Sequence, residues 1–387
     1  MTKRALIVGL GITGMSAAIA LMRQGWVPVI AERAPERCKG GYFIGLRDEG
    51  REAARQLGVL DRMEKRTPAR LRFWDIRKDG SRRAVADLTG ETETPIAVMR
   101  GDIEEALWQS IEGRVEIRFE SYPTLIEATP NGVVVRLNMC GTDRDEETYD
   151  LVIGADGVHS QVRRMIFGPD GRFIYPLKTS LCAFPLLRPV PGLEPGDGLM
   201  IADTRRTLTI FPLEGKPSTA LFSYRRKKND PLVRKAPASA LRGIFSNLDV
   251  GGVVSAALED LEKSDDYLSD DVQMVRMRHW SKGRIILLGD AAWCLTLYSG
   301  MGASAGMMGG VALGAALAAY PDDTEAALRF FEAGMRPFIR RHQRFVRIRS
   351  ELFVPSTILS LWARRILWQV MRRFRNKAGR VDRKQAR

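Results

Sequence analysis

Histidine and cysteine are scarce, with three His and four Cys in 387 residues. Cys38, Cys140, Cys182 and Cys294 show no CxxC or CxxxxC spacing, which argues against a dithiol redox centre or a cysteine zinc site and leaves reduced thiols as the expectation. Three histidines are too few for a histidine-rich centre, so no metal is expected. A signal-peptide core is missing too: Met1–Arg4 leads straight into the short apolar run Ala5–Val8 with no small-residue cleavage site, so the expected location is the cytoplasm. The body of the chain also lacks an excess of charge. The formal net charge is +14, but residues 341–387 hold 14 Lys/Arg against Glu351 and Asp382, and the other 340 residues carry 46 basic and 44 acidic side chains. A nucleic-acid partner is therefore not expected, and the basicity belongs to the tail. With 45% hydrophobic and 27% charged residues, a chain of this length builds a sizeable globular core.

Ala5–Val8 suits a fully buried parallel strand, and it leads into Gly9-Leu10-Gly11-Ile12-Thr13-Gly14 and then a helical pattern from Met15 to Arg23. The three glycines serve different ends: Gly9 the tight turn, Gly11 the approach of backbone to a pyrophosphate, Gly14 the close packing of helix on strand. That helix presents free N–H groups and the positive end of its dipole to phosphates, and Ile12 and Thr13, inside the glycine motif, join the glycines as expected binding residues. A second strand, Val27 to Ala31, ends in Glu32, placed to accept hydrogen bonds from a ribose. An acid there disfavours a 2′-phosphate. G-x-G-x-x-G alone means little, but strand, glycines, helix, strand and acid in order specify a dinucleotide site. Pro28 conflicts with this, because it lacks a ladder donor; either the strand begins late or Pro28 sits where no bond is needed.

A reductase that docks NAD(P)H on its own Rossmann domain needs a second strand-bounded fingerprint, and Gly300-Met301-Gly302 follows no strand. Three other segments are informative. Val98-Met99-Arg100-Gly101-Asp102-Ile103 opens a helix; Leu151-Val152-Ile153-Gly154-Ala155-Asp156-Gly157 delivers an aspartate and a glycine from a buried strand; Ile285-Ile286-Leu287-Leu288-Gly289-Asp290 does so again. Together with the opening motif, over nearly all of residues 1–345, they resemble the group A flavin monooxygenases of the p-hydroxybenzoate hydroxylase type, and within it the tetracycline-inactivating and antibiotic-biosynthesis aromatic hydroxylases.

The resemblance implies FAD as cofactor and NAD(P)H as transient co-substrate. O2 would add at the flavin C4a, and the hydroperoxide would pass one oxygen to an apolar or aromatic small molecule by hydroxylation or epoxidation, plausibly in secondary metabolism. It implies that Arg100 reaches FAD, that Asp156 and Gly157 orient the pyrophosphate region, and that Asp290 bonds the ribityl chain. Backbone from Leu297 and Ser299 through Gly300, Met301, Gly302 and Ala303 would lie along the isoalloxazine, with Gly41 in the segment over the flavin and Arg33 at the adenine-side phosphate or ribose. No catalytic side chain is named, because the cofactor does the chemistry. His159 is expected to be structural or solvent-facing. This chain departs from the pattern at Trp293, Leu297 and Ser304, where His, Pro and Asn are common, at Ile103, where Leu is usual, and at Gly45, where Asp is frequent. Trp293 and Arg47 become candidates near the ring or substrate.

Leu71–Ile76, Arg83–Leu88, Leu181–Leu187, Gly198–Ala202, Thr207–Phe211 and Thr219–Tyr224 read as strands of an antiparallel sheet. The expected architecture is α/β with C-terminal helices: a Rossmann-like FAD-binding domain with a parallel sheet (residues 1–70, 97–170 and 272–345), an inserted antiparallel-sheet substrate domain (71–96 and 171–271) and a basic C-terminal amphipathic helix and tail (346–387). Phe211, Phe222 and Tyr224 are candidates to face substrate. The uncharged stretch Ala291–Tyr320 is long enough for a membrane span, but Gly306, Gly310 and Gly314 suit a close helix–sheet contact instead.

Residues 356–375 place Leu359, Ala363, Ile366, Leu367, Val370, Met371 and Phe374 on one helical arc, and Arg364, Arg365, Arg372, Arg373 and Arg375 on the other, with Trp362 and Trp368 at the borders. This pattern fits peripheral contact with an anionic membrane, or a helix folded back with solvated arginines. Two alternatives to oxygen insertion stay open: an FAD-dependent redox-neutral cyclase or dehydrogenase, and a membrane-docked flavin-binding protein without activity. The halogenase signature W-x-W-x-I-P is absent.

Overall fold

A computed structural model describes residues 2–37, 40–85, 95–226 and 237–367. The described residues form two compact units, one from the spans 1–64, 98–177 and 273–346, the other from 65–97, 178–272 and 347 onward.

The first unit is built on a six-stranded sheet in the order Ser281–Lys282, Ile285–Leu287, Leu151–Gly154, Arg4–Val8, Val27–Ala31, Glu116–Arg118. All neighbours are parallel except the antiparallel Ser281–Lys282 edge. The apolar runs are covered on both faces, which is why they show no alternation: Ala5, Leu6, Ile7, Leu151, Val152 and Ile153 are all fully buried. Val8 lies beside Gly154 and Gly154 beside Leu287, so Gly9, Ala155 and Leu288 leave the sheet at one common edge.

Pro28 is inside its strand after all. The Val27 N–H donates to Lys3 O and the Glu32 N–H to Arg118 O, so position 28 points toward the outer neighbour, whose pairing starts only at Val29. No donor is needed there.

The opening helix Ile12–Arg23 packs against the glycine-rich helix Gly302–Ala319. A Cβ at Gly306 would stand 2.5 Å from Thr13 Oγ1, at Gly310 2.6 Å from the Ser16 backbone, and at Gly314 2.9 Å from Ala20 Cβ. The glycine spacing thus serves a helix–helix contact, not the helix–sheet contact expected. Gly302–Ala319 is long and apolar enough to cross a membrane, yet its glycine face is spent inside the unit.

In the same unit, Glu147 pairs with Arg4 (3.0 Å) and Arg118, and the Tyr149 hydroxyl donates to it. The Arg118 hydrogen bond, helped by that from Arg4, holds the Glu147 carboxyl down at about 2. A depressed carboxylate gives stability that is full above its unfolded value of 4.5 and is lost as pH falls toward about 2. Glu147→Gln should therefore unfold at lower temperature than the parent at neutral pH, with the gap in thermal midpoints closing as acid is added. A gap constant from neutrality down to pH ~2 would refute the assignment.

The second unit holds a seven-stranded sheet in the order Leu268–Val275, Ile174–Pro185, Lys216–Arg225, Arg206–Leu213, Asp197–Asp203, Arg72–Ile76, Arg82–Ala84. It is not wholly antiparallel, since Asp197–Asp203 runs parallel to Arg72–Ile76. One face carries Phe184, Ile201, Ile210, Phe222 and Tyr224 into a core shared with Leu241 and Phe245 of helix Pro237–Phe245 and Leu258 of helix Val253–Glu262. The end of the expected strand Arg83–Leu88, from residue 86 on, lies outside the described residues, as does Cys38.

Phe222 and Tyr224 are therefore core, not substrate-facing as expected: Phe222 is fully buried, with its ring 5.9 Å from Phe184 and 4.8 Å from Phe245. Phe211 has the opposite strand parity to Ile210 and lies 6.1 Å from Phe73, half-buried on the other face. Phe222→Leu should cost on the order of 1–2 kcal/mol of stability and Phe211→Leu less than about half of that, as read in denaturant midpoints. Equal costs would mean that the two faces are assigned the wrong way.

Residues 358–367 are helical, while Trp368, Val370, Met371, Arg372, Arg373, Phe374 and Arg375 lie outside the described residues. Arg364 is not on a solvated arc. It is 1% exposed, with its guanidinium 3.3 Å from Asp75 Oδ1, whereas Leu359, Ile366 and Leu367 are exposed. The helix is rotated relative to expectation because a buried carboxylate claims Arg364.

Candidate cofactor site

The site is built at the common edge of the parallel sheet. Gly9 takes φ +106°, and a Cβ there would lie 2.5 Å from Ala155 O; its N–H donates to Ala31 O at 2.8 Å. Gly14 rests on Gly9 so closely that a Cβ would come within 2.0 Å of the Gly9 carbonyl oxygen. Gly11 differs. It is the N-cap of Ile12–Arg23, no side chain caps the helix, and a Cβ on it meets nothing within 4 Å. The N–H groups of Ile12, Thr13 and Gly14 precede the first intrahelical bond, from the Met15 N–H to Gly11 O. A helix dipole, first-turn donors and open space together form a cradle for phosphate oxygens.

Glu32 closes one side. Its Oε2 accepts from the Leu10 N–H and its Oε1 from the Ala34 N–H, both at 2.8 Å, which fixes the carboxylate at the strand end and leaves each oxygen a second lone pair. Arg33 follows it at the strand end.

Arg100 begins the helix Arg100–Ile111 as expected. Its N–H donates to Tyr42 O, its Nε to Glu104 Oε1 at 3.0 Å, and its stem covers Gly41, where a Cβ would be 2.9 Å from Arg100 Cβ. The glycine at 41 therefore lets the arginine lie flat against the backbone.

Asp156 holds the start of the next helix. Its Oδ2 accepts from the N–H groups of Gln161 (2.6 Å) and Val162 (3.1 Å), so the carboxylate caps helix Gln161–Ile166. Burial raises its pKa above 3.8 in spite of those bonds. His159 is exposed. Arg163, not among the expected site residues, is fully buried: its guanidinium donates to Val158 O (2.6 Å) and Ala291 O (2.9 Å) and pairs with Asp170. It thus ties the segment after Asp156 to the segment after Asp290. An arginine inside a short helix that follows an Asp-Gly turn is the one signal that points to it.

Gly289 takes φ +60°, and a Cβ there would stand 2.3 Å from Thr13 Oγ1, so the late Gly-Asp turn is seated on the opening helix. Asp290 is open to water at the mouth yet closely surrounded by protein below. That surround raises its carboxyl above 3.8, opposed by the Cys294 thiol and the Arg100 guanidinium. Arg100 and Asp290, 190 residues apart in the chain, thus lie within electrostatic reach of each other.

Thr296 (φ +68°) and Gly300 (φ +64°) bracket the turn Leu297–Ser299, and the Met301 N–H donates to Ser299 Oγ just before helix Gly302–Ala319, where Ala303 sits in the first turn. A β-branched residue at positive φ marks a backbone path imposed by its surroundings. A Cβ on Gly300 would lie 3.9 Å from Arg47 Nε, which brings Arg47 to this turn. Gly157, at φ +78°, has open space over its Cα.

Trp293 is not at the mouth. It is 1% exposed, its ring 4.5 Å from Trp280 and 6.2 Å from Phe331, and it lies under Gly309, so the expected place beside ring or substrate is replaced by one in the interior. Ser304 is likewise buried, against Gly50.

Comparison with known proteins gives this geometry a context. The FAD binding domain family matches residues 2–342. A flavin-dependent monooxygenase of Legionella longbeachae serogroup 1 is 29% identical over 360 residues, 90% of this chain and 89% of the relative. Another, from an unknown prokaryotic organism, is 28% identical over 367 residues, 92% of this chain and 91% of its own. Among solved structures, Klebsiella pneumoniae HpxO complexed with FAD and uric acid superposes with a TM-score of 0.79 at 22% identity, over 96% of this chain and 93% of that one. The tetracycline destructase Tet(51) does so with 0.74 at 24% identity over 96% of both. The last two show the shared fold. With an uncapped glycine-rich helix start, a carboxylate at the next strand end and a second Gly-Asp turn seated on that helix, and a family match over nearly the whole length, the chain belongs to the FAD binding domain family.

Proposed function

We propose that this chain hydroxylates or epoxidises an apolar or aromatic small molecule, drawing electrons from NAD(P)H and oxygen from O2. FAD, when bound, supplies the electron store and the place where O2 is activated. The chain binds it, orients it and keeps the reacting edge dry. In this reading the N–H groups of Ile12, Thr13 and Gly14 hold the pyrophosphate and Glu32 the adenosine ribose, with Arg33 beside it. Asp290 receives the ribityl hydroxyls while Arg100 steadies the charge there. Asp156 and Gly157 shape the edge from below. Backbone from Leu297 to Ala303 flanks the isoalloxazine, and Arg47 is the polar group nearest that turn. Phe211, half-buried on the face of its sheet opposite the core, stays the aromatic candidate for substrate contact.

The observation that carries the proposal is the arrival at one end of the parallel sheet of Gly9–Gly14 and Glu32, with the Gly289–Asp290 turn seated on Thr13 of the opening helix. Support for an aromatic substrate comes from neighbours whose structures concern uric acid and 2-methyl-3-hydroxypyridine-5-carboxylic acid. The single glycine fingerprint favours transient NAD(P)H binding. The test is turnover of a panel of aromatic and polycyclic compounds under 18O2, with NAD(P)H oxidation and O2 uptake followed together. One labelled oxygen per product and matched consumption is the expected result. Product without label would replace this reading by a dehydrogenase or cyclase, and a chain that binds FAD but turns over nothing would leave a flavin-binding protein.

A further inference from the structure

We propose that the exposed face of the helix at residues 358–367 docks the protein on an anionic lipid surface. Ile358, Leu359, Trp362 and Ile366 are 66%, 81%, 59% and 55% exposed. Positions 358, 362 and 366 recur every four residues and 359 adjoins them, so the four side chains form one stripe. Isolated exposed apolar residues are ordinary; four on one helix face are not.

The other side of the helix is committed. Leu361 is 7% exposed, and Arg364 is buried against Asp75. The helix start is fixed too, with Thr357 Oγ1 accepting from the Ser360 N–H at 3.1 Å. Rolling the helix to cover its stripe would pull Arg364 away from Asp75 and leave a buried carboxylate unpaired, so the stripe stays outward.

What covers the stripe follows from charge. Residues 361–387 contain ten Lys/Arg and a single acid, Asp382, and eight of those bases follow residue 367. Docking two copies stripe to stripe would bring two such strongly basic segments together. A sheet of anionic headgroups answers both features at once, taking the apolar stripe to the acyl boundary and the bases to the phosphates, with Trp362 at the level where amphipathic rings settle. This surface belongs to the second unit, and its failure would leave the flavin assignment in the first untouched.

The full-length holoprotein is sedimented with vesicles of phosphatidylcholine alone and of phosphatidylcholine with phosphatidylglycerol, at low and high salt. The parallel variant carries Ile358→Ser, Leu359→Ser and Trp362→Ser, all at exposed positions, with FAD content and melting temperature checked against the parent. The parent should partition onto the anionic vesicles only, with salt weakening it, and the variant should partition at least about tenfold less. A parent that ignores anionic vesicles, or a variant that binds as the parent does, overturns the proposal. So does a parent dimer that the substitutions turn into a monomer without any lipid binding.

Discussion

Gly11→Asp should fold as well as the parent, or slightly better, and purify without FAD. Gly11 has φ −79° and ψ −176°, extended backbone that any residue adopts, and its Cβ would meet no protein atom within 4 Å. Asp is among the preferred N-cap residues, and its carboxylate would accept from first-turn N–H groups that no side chain caps now. Those donors are the ones a pyrophosphate needs, and an aspartate beside two phosphates adds repulsion. We expect FAD affinity to fall on the order of a thousandfold, about 4 kcal/mol, while the melting temperature of the FAD-free protein stays level or rises. Titration of flavin fluorescence on the stripped proteins reads the first and calorimetry the second. Parental affinity in the variant would remove the helix N-terminus from the site.

Arg163→Met should show the opposite, a loss of fold that carries the site with it. Methionine keeps much of the stem volume but leaves Val158 O and Ala291 O without their donor, in a buried place, and removes the inner partner of Asp170, which retains Arg164. Breaking a buried charge network of this kind costs about 3 kcal/mol or more, which lowers the melting temperature by roughly 6–12 °C in a unit of this size. Because Ala291 follows Asp290 directly, FAD should also dissociate faster. Arg163→Lys restores the charge but not the planar fork that reaches three acceptors, and it should recover less than half of the loss. A methionine variant melting within about 1 °C of the parent would show the contacts to be dispensable.

The cofactor side of the molecule is legible in the sequence because its requirements fall on backbone. Gly9, Gly14 and Gly289 are needed where another chain segment passes within van der Waals contact, and such positions admit only glycine, so the letters stand in readable order. Glu32 and Arg100 are legible from their place at the end of a strand and the start of a helix. The second unit is not. Strands such as Asp197–Asp203 and Lys216–Arg225 are buried on both faces, so no polar alternation tells Phe222 from a neighbour of opposite parity.

Trp293 and Arg364 mislead for a related reason. An indole reads as a ligand contact and an arginine as solvated until the partners Trp280, Phe331 and Asp75, distant in sequence, are known. Asp156 reads first as a charge for the cofactor, whereas it also starts a helix, a role that Ser160 and Gln161 downstream signal.

The seating of Gly306, Gly310 and Gly314 on the opening helix has a consequence for how the protein is made. Residues 12–23 leave the ribosome early, but the helix that covers them is complete only at Ala319, roughly 15–60 s later at ordinary elongation rates. Throughout that interval Ser16, Ala17 and Ala20, on which those glycines rest, lack their final cover, and any product terminated before that point keeps them so. Truncated chains of this protein should therefore burden the chaperones in proportion to how many stop short of the last third, whatever becomes of the flavin.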